Sequence, residues 1–319
     1  SMFHKIFLGT YTRRISQGIY QIKLDTATET LGQLELVAEE NSPTYLTTSS
    51  KHALYSVTSR DQQGGIASYD SQKNFLNAVT EDGASPCYVA VDEQRQLVYS
   101  ANYHKGEVNS YHINSDGSLE AAAAVFHTEA TGPHKNQDNP HVHYADLTPD
   151  QRLAVCDLGT DRVYTYDVAD SGALELAAVY LAEPGTGPRH LVFHPQQKLA
   201  YLFGELDSSI TVLAYQQDGS FVEKQKVSTI PDDFNGENGG AAIRISNDGR
   251  FLYASNRGHN SIAVFAITAT GEKIQLIQSI SSEGDFPRDF ALTPENDYLV
   301  CANQNSDNLT LYRRNQETG

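Results

Sequence analysis

The sequence predicts an all-β protein, a seven-bladed β-propeller of four-stranded antiparallel blades whose ring closes by joining of the chain ends. Two observations lead there. One short strand-like window recurs seven times, and a strand led by Pro or Gly returns every 43 to 54 residues, at Pro43, Pro86, Pro140, Pro188, Gly240 and Pro287. A third observation, strict apolar–polar alternation after each window, supplies the next strand of every repeat.

The repeat is read strand by strand. Its first strand, A, follows the leading Pro or Gly, as in Pro43-Thr44-Tyr45-Leu46 and Pro188-Arg189-His190-Leu191. Turn chemistry such as Thr148-Pro149-Asp150 or Asn247-Asp248-Gly249 then reverses the chain. Strand B is the recurring window: Phe7-Leu8-Gly9-Thr10, Tyr55-Ser56-Val57-Thr58, Tyr99-Ser100-Ala101-Asn102, Ala154-Val155-Cys156-Asp157, Tyr201-Leu202-Phe203-Gly204, Tyr253-Ala254-Ser255-Asn256 and Val300-Cys301-Ala302-Asn303. Strand C alternates, as in Arg162-Val163-Tyr164-Thr165-Tyr166. A polar turn such as Ser115-Asp116-Gly117-Ser118 leads into a weaker strand D. The first repeat lacks an evident A strand and the last ends after C. No unrelated segment fits between repeats, so residues 1–319 are read as a single domain, with Ser1 ahead of Met2 a cloning remnant.

Composition narrows the function classes. Forty acidic against 23 basic side chains leave a net charge of −17, which repels nucleic-acid backbones and anionic lipid, so neither is an expected partner. No run approaches the roughly 18 apolar residues of a spanning helix. Cys87, Cys156 and Cys301 are odd in number, lack CxxC spacing and lie in apolar strands, which reads as reduced buried thiols and a cytoplasmic chain. A monomer or weak homo-oligomer is expected.

Propeller geometry then tests the side chains. Strand A begins on the face where strand B ends, so residues just inside A and just past B converge on one mouth of the central channel. After the leading Pro or Gly stand Thr44, Cys87, His141, Arg189, Ala241 and Arg288. After the B windows stand Tyr11, Ser59, Tyr103, Leu158, Glu205, Arg257 and Gln304, with Asn102, Asp157, Asn256 and Asn303 beneath them. The rim therefore collects His141, Arg189, Glu205, Arg257 and Arg288 in an acidic protein. Guanidinium forks suit an anionic ligand or a developing oxyanion, and a histidine or carboxylate beside them can activate water. Any one of these arginines taken alone reads more readily as an ion-pair partner between blades, and it is their co-location that favours a site.

The chain resembles the seven-bladed β-propeller lactonase family over essentially its full length. The resemblance rests on Gly9-Thr10-Tyr11-Thr12 with Gly18-Ile19-Tyr20, on Gly187-Pro188-Arg189-His190-Leu191-Val192-Phe193-His194-Pro195, on Glu205-Leu206, and on Tyr253-Ala254-Ser255-Asn256-Arg257. It implies His141, Arg189, Glu205 and Arg257 as catalytic residues and Arg288 as a further arginine. His143 stands two residues beyond His141, so the two share a strand face and the choice between them stays open. The implied reaction is hydrolysis of a sugar δ-lactone such as 6-phosphoglucono-1,5-lactone, with a small anionic sugar lactone as partner and no metal or cofactor. Closure of a muconate-type polycarboxylate lactone, or ligand binding without catalysis, are the alternatives.

Other signals are weaker. His141, His143, Asp157, Asp161 and Glu205 do not complete a zinc or EF-hand spacing. The polar loop from Thr131 to Asn139 leads to His141 and offers His134 and Lys135 to a phosphate; Asn102, Asn256 and His143 join them as candidate binding residues. Gly185-Thr186-Gly187 precedes a strand where a dinucleotide fingerprint needs a helix, and no Gly-x-Ser-x-Gly occurs. His52 and His194, near the A-to-B turns, are read as structural.

Overall fold

A computed structural model of the chain describes residues 3–9 and 16–319, and among them there is no helix. Tyr11, which the sequence places at the first rim position, and its neighbours Thr10 and Thr12 lie outside the described residues. Among the described residues twenty-seven strands form seven antiparallel sheets.

The first sheet contains β1 (Phe3–Leu8), β2 (Gly18–Asp25), β3 (Thr30–Leu31) and β4 (Glu35–Glu39). The second contains β5 (Leu46–Thr48), β6 (Leu54–Arg60), β7 (Gln63–Tyr69) and β8 (Phe75–Asp82), and the third β9 (Tyr88–Asp92), β10 (Leu97–Asn102), β11 (Glu107–Ile113) and β12 (Leu119–Phe126). The fourth runs β13 (Val142–Leu147), β14 (Leu153–Asp157), β15 (Arg162–Val168) and β16 (Leu174–Leu181). The fifth is β17 (Pro188–Phe193), β18 (Leu199–Gly204), β19 (Ser209–Tyr215) and β20 (Phe221–Ser228). The sixth is β21 (Gly239–Ile245), β22 (Phe251–Arg257), β23 (Ser261–Ile267) and β24 (Ile274–Ser281), and the seventh β25 (Pro287–Leu292), β26 (Tyr298–Asn303) and β27 (Asn308–Arg313).

The five middle sheets pair their strands in chain order, which is the expected blade. The two end sheets depart from it. In the first, β3 and β4 both pair with β2, so the outer edge is one interrupted strand, and the seventh has three strands.

The chain divides into two compact units. The first comprises residues 1–130, 139–155 and 165–176, and the second 131–138, 156–164 and 177–319. In the first unit the innermost strands meet through tyrosines: Tyr45 stacks on Tyr88 at 4.5 Å, Tyr88 lies 4.9 Å from Tyr144, and the Tyr88 hydroxyl donates to Asp146 Oδ2 at 2.6 Å. A buried aromatic ring such as Tyr88 stabilises the fold by about 1.5–3 kcal/mol through the area it removes from water. Behind these strands Tyr55, Val57, Ile66, Val89, Val98, Tyr111 and Leu119 form one core cluster across the second and third sheets.

In the second unit the corresponding cluster joins the fifth and sixth sheets through Tyr201, Phe203, Val212, Ile243, Leu252 and Phe265. Period-2 alternation produces this arrangement, because each strand buries one face against the sheet before it and the other against the sheet after it. The turns are secured by side chains as the sequence predicts. His194 Nδ1 accepts the Gln196 and Gln197 amides while Nε2 donates to the Gly249 carbonyl at 3.2 Å, a structural role for that histidine. Cys156 and Cys301 are buried, and no disulfide joins the three thiols. Burial pushes the Cys301 thiol up to about 12.

Candidate active site

Arg189 owes its aim to an irregularity at the head of β17. Pro188 pairs with Gly204 and His190 with Phe203, so Arg189 is the extra residue of a β-bulge. A bulge redirects the side chain it adds, and here it comes just where the inner strand begins. Gly187, with φ of +64°, makes the turn into the strand, and a Cβ there would lie 2.5 Å from Leu206 Cγ. Glu205 follows β18 directly, and its amide donates to the Gly187 carbonyl at 2.9 Å. The bulge and the Glu205 turn are therefore tied through one residue.

Arg257 is the last residue of β22, opposite Gly239. The three side chains meet on one atom. Arg189 Nε donates to Glu205 Oε1 at 3.1 Å and Arg257 Nη2 donates to the same oxygen at 2.9 Å. Arg257 Nη2 also donates to the Gly240 carbonyl at 2.6 Å. Glycines make room for this: a Cβ on Gly240 would fall 2.5 Å from Phe203 Cε1, and one on Gly239 would fall 3.3 Å from Arg257 Nη2. The Phe286 ring lies under the Arg257 guanidinium at 5.6 Å.

The electrostatics follow from the count of charges. Two guanidinium cations share one carboxylate, which leaves an excess positive charge in a chain of net charge −17. Arg189 is buried, with 3% of its side chain accessible, while Glu205 keeps 17% and Arg257 13%. Among the described residues Glu205 Oε2 accepts no hydrogen bond, and Arg257 Nε is a buried donor without an acceptor. An open carboxylate oxygen beside surplus N–H donors suits proton removal from water next to an oxygen that gains negative charge.

His141 and His143 belong to the first unit and share one aromatic neighbour. His141 stacks on the Tyr103 ring at 4.1 Å and 9°, and His143 meets the edge of that ring at 5.9 Å. Both imidazoles are buried, on the same strand face as alternation requires. His141 Nδ1 lies 2.7 Å from the Tyr103 carbonyl. A carbonyl only accepts, so Nδ1 carries the proton and Nε2 is the basic nitrogen of the neutral ring. The backbone thus sets the tautomer of His141.

The remaining expected residues fall into three situations. Arg288 repeats the Arg189 device: Pro287 pairs with Asn303 and Asp289 with Ala302, so Arg288 is the bulged residue of β25. His134 and Lys135 sit on a loop of the second unit held by Gln137, whose Oε1 accepts the His134 amide and whose Nε2 donates to the Leu158 carbonyl. His134 Nδ1 accepts the Asn136 amide at 3.0 Å, while Lys135 is exposed. Asn102 and Asn256, candidate binding residues by sequence, are buried, and each clamps a backbone carbonyl. Asn102 Nδ2 donates to the Ala84 carbonyl and Asn256 Nδ2 to the Thr229 carbonyl, and Asn303 does the same to Ser282. Each closes the end of strand B onto the segment leading into strand A, which explains why the window ends in Asn without reference to a ligand.

Gly239 and Phe286 complete the arginine cluster without being singled out by the sequence reading, which takes Gly240 only as the head of a strand. The paired glycines opening β21, where the other repeats carry Pro, were the available signal.

The sequence profile of the seven-bladed β-propeller lactonases matches residues 5–319. The chain belongs to that family. It is a lactone hydrolase by its family, and its relatives agree in length and fold. It is 43% identical over 321 residues to the 6-phosphogluconolactonase of Bacillus subtilis, an alignment covering 98% of this chain and 92% of that one. A crystal structure of a Lactobacillus plantarum protein superposes with a TM-score of 0.98 at 52% identity, covering 100% of this chain and 94% of that one. The periplasmic gluconolactonase of Pseudomonas aeruginosa superposes with a TM-score of 0.91 at 30% identity, covering 99% and 93%. Against this lactonase frame the Arg189–Glu205–Arg257 cluster is the candidate catalytic centre.

Proposed function

We propose that this lactonase hydrolyses 6-phosphoglucono-1,5-lactone to 6-phosphogluconate. The observation that carries the reading is the single carboxylate oxygen of Glu205 shared by Arg189 and Arg257, its second oxygen accepting no hydrogen bond among the described residues. Likeness to the Bacillus subtilis 6-phosphogluconolactonase supports the choice of substrate.

In the proposed reaction water adds to the lactone carbonyl carbon as Glu205 Oε2 or His141 Nε2 takes its proton. Arginine N–H groups stabilise the oxyanion as it forms. The bond from that carbon to the ring oxygen then breaks, and the proton is returned to the leaving oxygen, so one water is consumed and a hydroxy acid results. Arg288, His134 and Lys135 are proposed to bind the substrate, Arg288 and Lys135 as partners of its phosphate.

The test is pH-stat measurement of lactone opening, with the spontaneous rate subtracted, on freshly made 6-phosphogluconolactone and on unphosphorylated gluconolactone. Enzyme-dependent opening that favours the phosphorylated lactone and is lost in Arg189→Ala supports the reading. Equal turnover of both lactones removes the phosphate from it, and failure of well-folded protein to accelerate either refutes it.

A further inference from the structure

We propose that Asp161 is a positioning residue for the Arg189–Glu205 pair, an inference that rests on the hydrolase reading above. Asp161 lies in the turn between β14 and β15, is 3% exposed, and holds a left-handed backbone with φ of 53°. Its carboxylate faces no cation among the described residues. Each oxygen is committed to a backbone amide: Oδ2 accepts Gly185 N at 2.9 Å and Oδ1 accepts Gly187 N at 2.8 Å. A buried carboxylate satisfied wholly by peptide N–H groups makes charge-assisted bonds, the stronger class, and so fixes the segment that supplies them.

That segment is the one from which the catalytic pair departs. Gly187 immediately precedes Pro188 and the bulged Arg189, and its carbonyl accepts the Glu205 amide at 2.9 Å. Thr186 accepts the Leu206 amide in the same way. Asp161 therefore grips from one side the strip of backbone that Glu205 grips from the other. Arg189 Nε and Glu205 Oε1 are 3.1 Å apart at its end. The same carboxylate also limits the loop carrying His134, because a Cβ on Gly132 would come within 2.3 Å of Oδ2. One buried side chain thus sets the course of two loops of the second unit.

Asp161→Asn isolates the charge, since Asn tolerates the left-handed backbone but turns one acceptor into an N–H facing another N–H. The expected loss is about 10- to 100-fold in kcat/KM, since misplacing a catalytic group by about 1 Å costs up to about 100-fold. The decisive readout is coupling. In an Arg189→Lys background the same substitution costs much less, because its effect travels through Arg189; an equal loss in both backgrounds overturns the proposal. The Arg189 Nε–H resonance, assigned by its disappearance in Arg189→Lys, gives a second reading that needs no turnover. It shifts and exchanges faster with solvent in Asp161→Asn if the proposal holds, and an unchanged resonance refutes it. Were the wild-type protein to open no lactone, the hydrolase reading would fail and the resonance alone would still judge the positioning role. Asp161→Ser, which keeps one acceptor, carries the same two tests should the Asn variant not fold.

Discussion

Arg189, the extra residue of the β17 bulge, donates from Nε to Glu205 Oε1 across 3.1 Å, and the backbone of Gly187 ties the two residues a second time. A side-chain bond between groups already held by their main chains loses little entropy on forming, so the pair is organised before any ligand arrives.

The first prediction concerns Glu205. Replacing it with Gln keeps the shape but removes the base and the charge shared by two arginines. Lactone opening is expected to fall by about 10²- to 10⁴-fold, the contribution typical of a positioned general base. Steady-state rates by pH-stat on folded Glu205→Gln decide it, and retention of more than a tenth of the activity would move the base role to His141.

His141 has its own test. In His141→Asn the side-chain amide can donate to the Tyr103 carbonyl as Nδ1–H does, but nothing replaces the basic Nε2. If His141 carries the proton, this variant stays folded, with a melting temperature lowered by the lost Tyr103 stacking, and loses about 10²-fold in kcat. Calorimetry beside the rate assay separates that outcome from an unfolded protein.

Gly187→Ala forces a Cβ to within 2.5 Å of Leu206 Cγ and an L-residue into a φ of +64°. The expected cost is about 1–3 kcal/mol of stability, measured by urea unfolding. Activity should fall with it, because the strained residue leads into Arg189 and its carbonyl accepts the Glu205 amide.

His194 sets a pH dependence. Burial pushes its pKa below the ordinary histidine value of 6.5, with the Gly249 carbonyl acting weakly in the opposite direction. The folded protein therefore binds this proton less readily than the unfolded chain. Its contribution to stability is complete above the unfolded value and is lost as pH falls from there through the lower folded value. Melting temperatures taken from pH 8 to pH 5 should decline on the acid side, and His194→Gln should flatten that decline. An unaltered slope in the variant would show that other groups govern it.

The sequence by itself determined the seven-fold strand repeat and that Arg189, Glu205, Arg257 and Arg288 stand at strand ends. Alternation, Pro at strand heads and Asn/Asp-Gly turns are local signals, legible within about ten residues and repeated often enough to correct one another. The tertiary structure alone decided which of the rim residues bond. Arg257 and Glu205 are 52 residues apart in the chain, and they share an oxygen only because β18 and β22 belong to neighbouring sheets and glycines stand at 239 and 240. The bulges at Arg189 and Arg288 were equally invisible, since a one-residue register shift leaves the alternating pattern of the flanking strand intact. Asn102 and Asn256 show the same limit in reverse: a polar residue at a strand end reads alike whether it meets a ligand or a backbone carbonyl, and only the position of the adjacent loop tells the two apart.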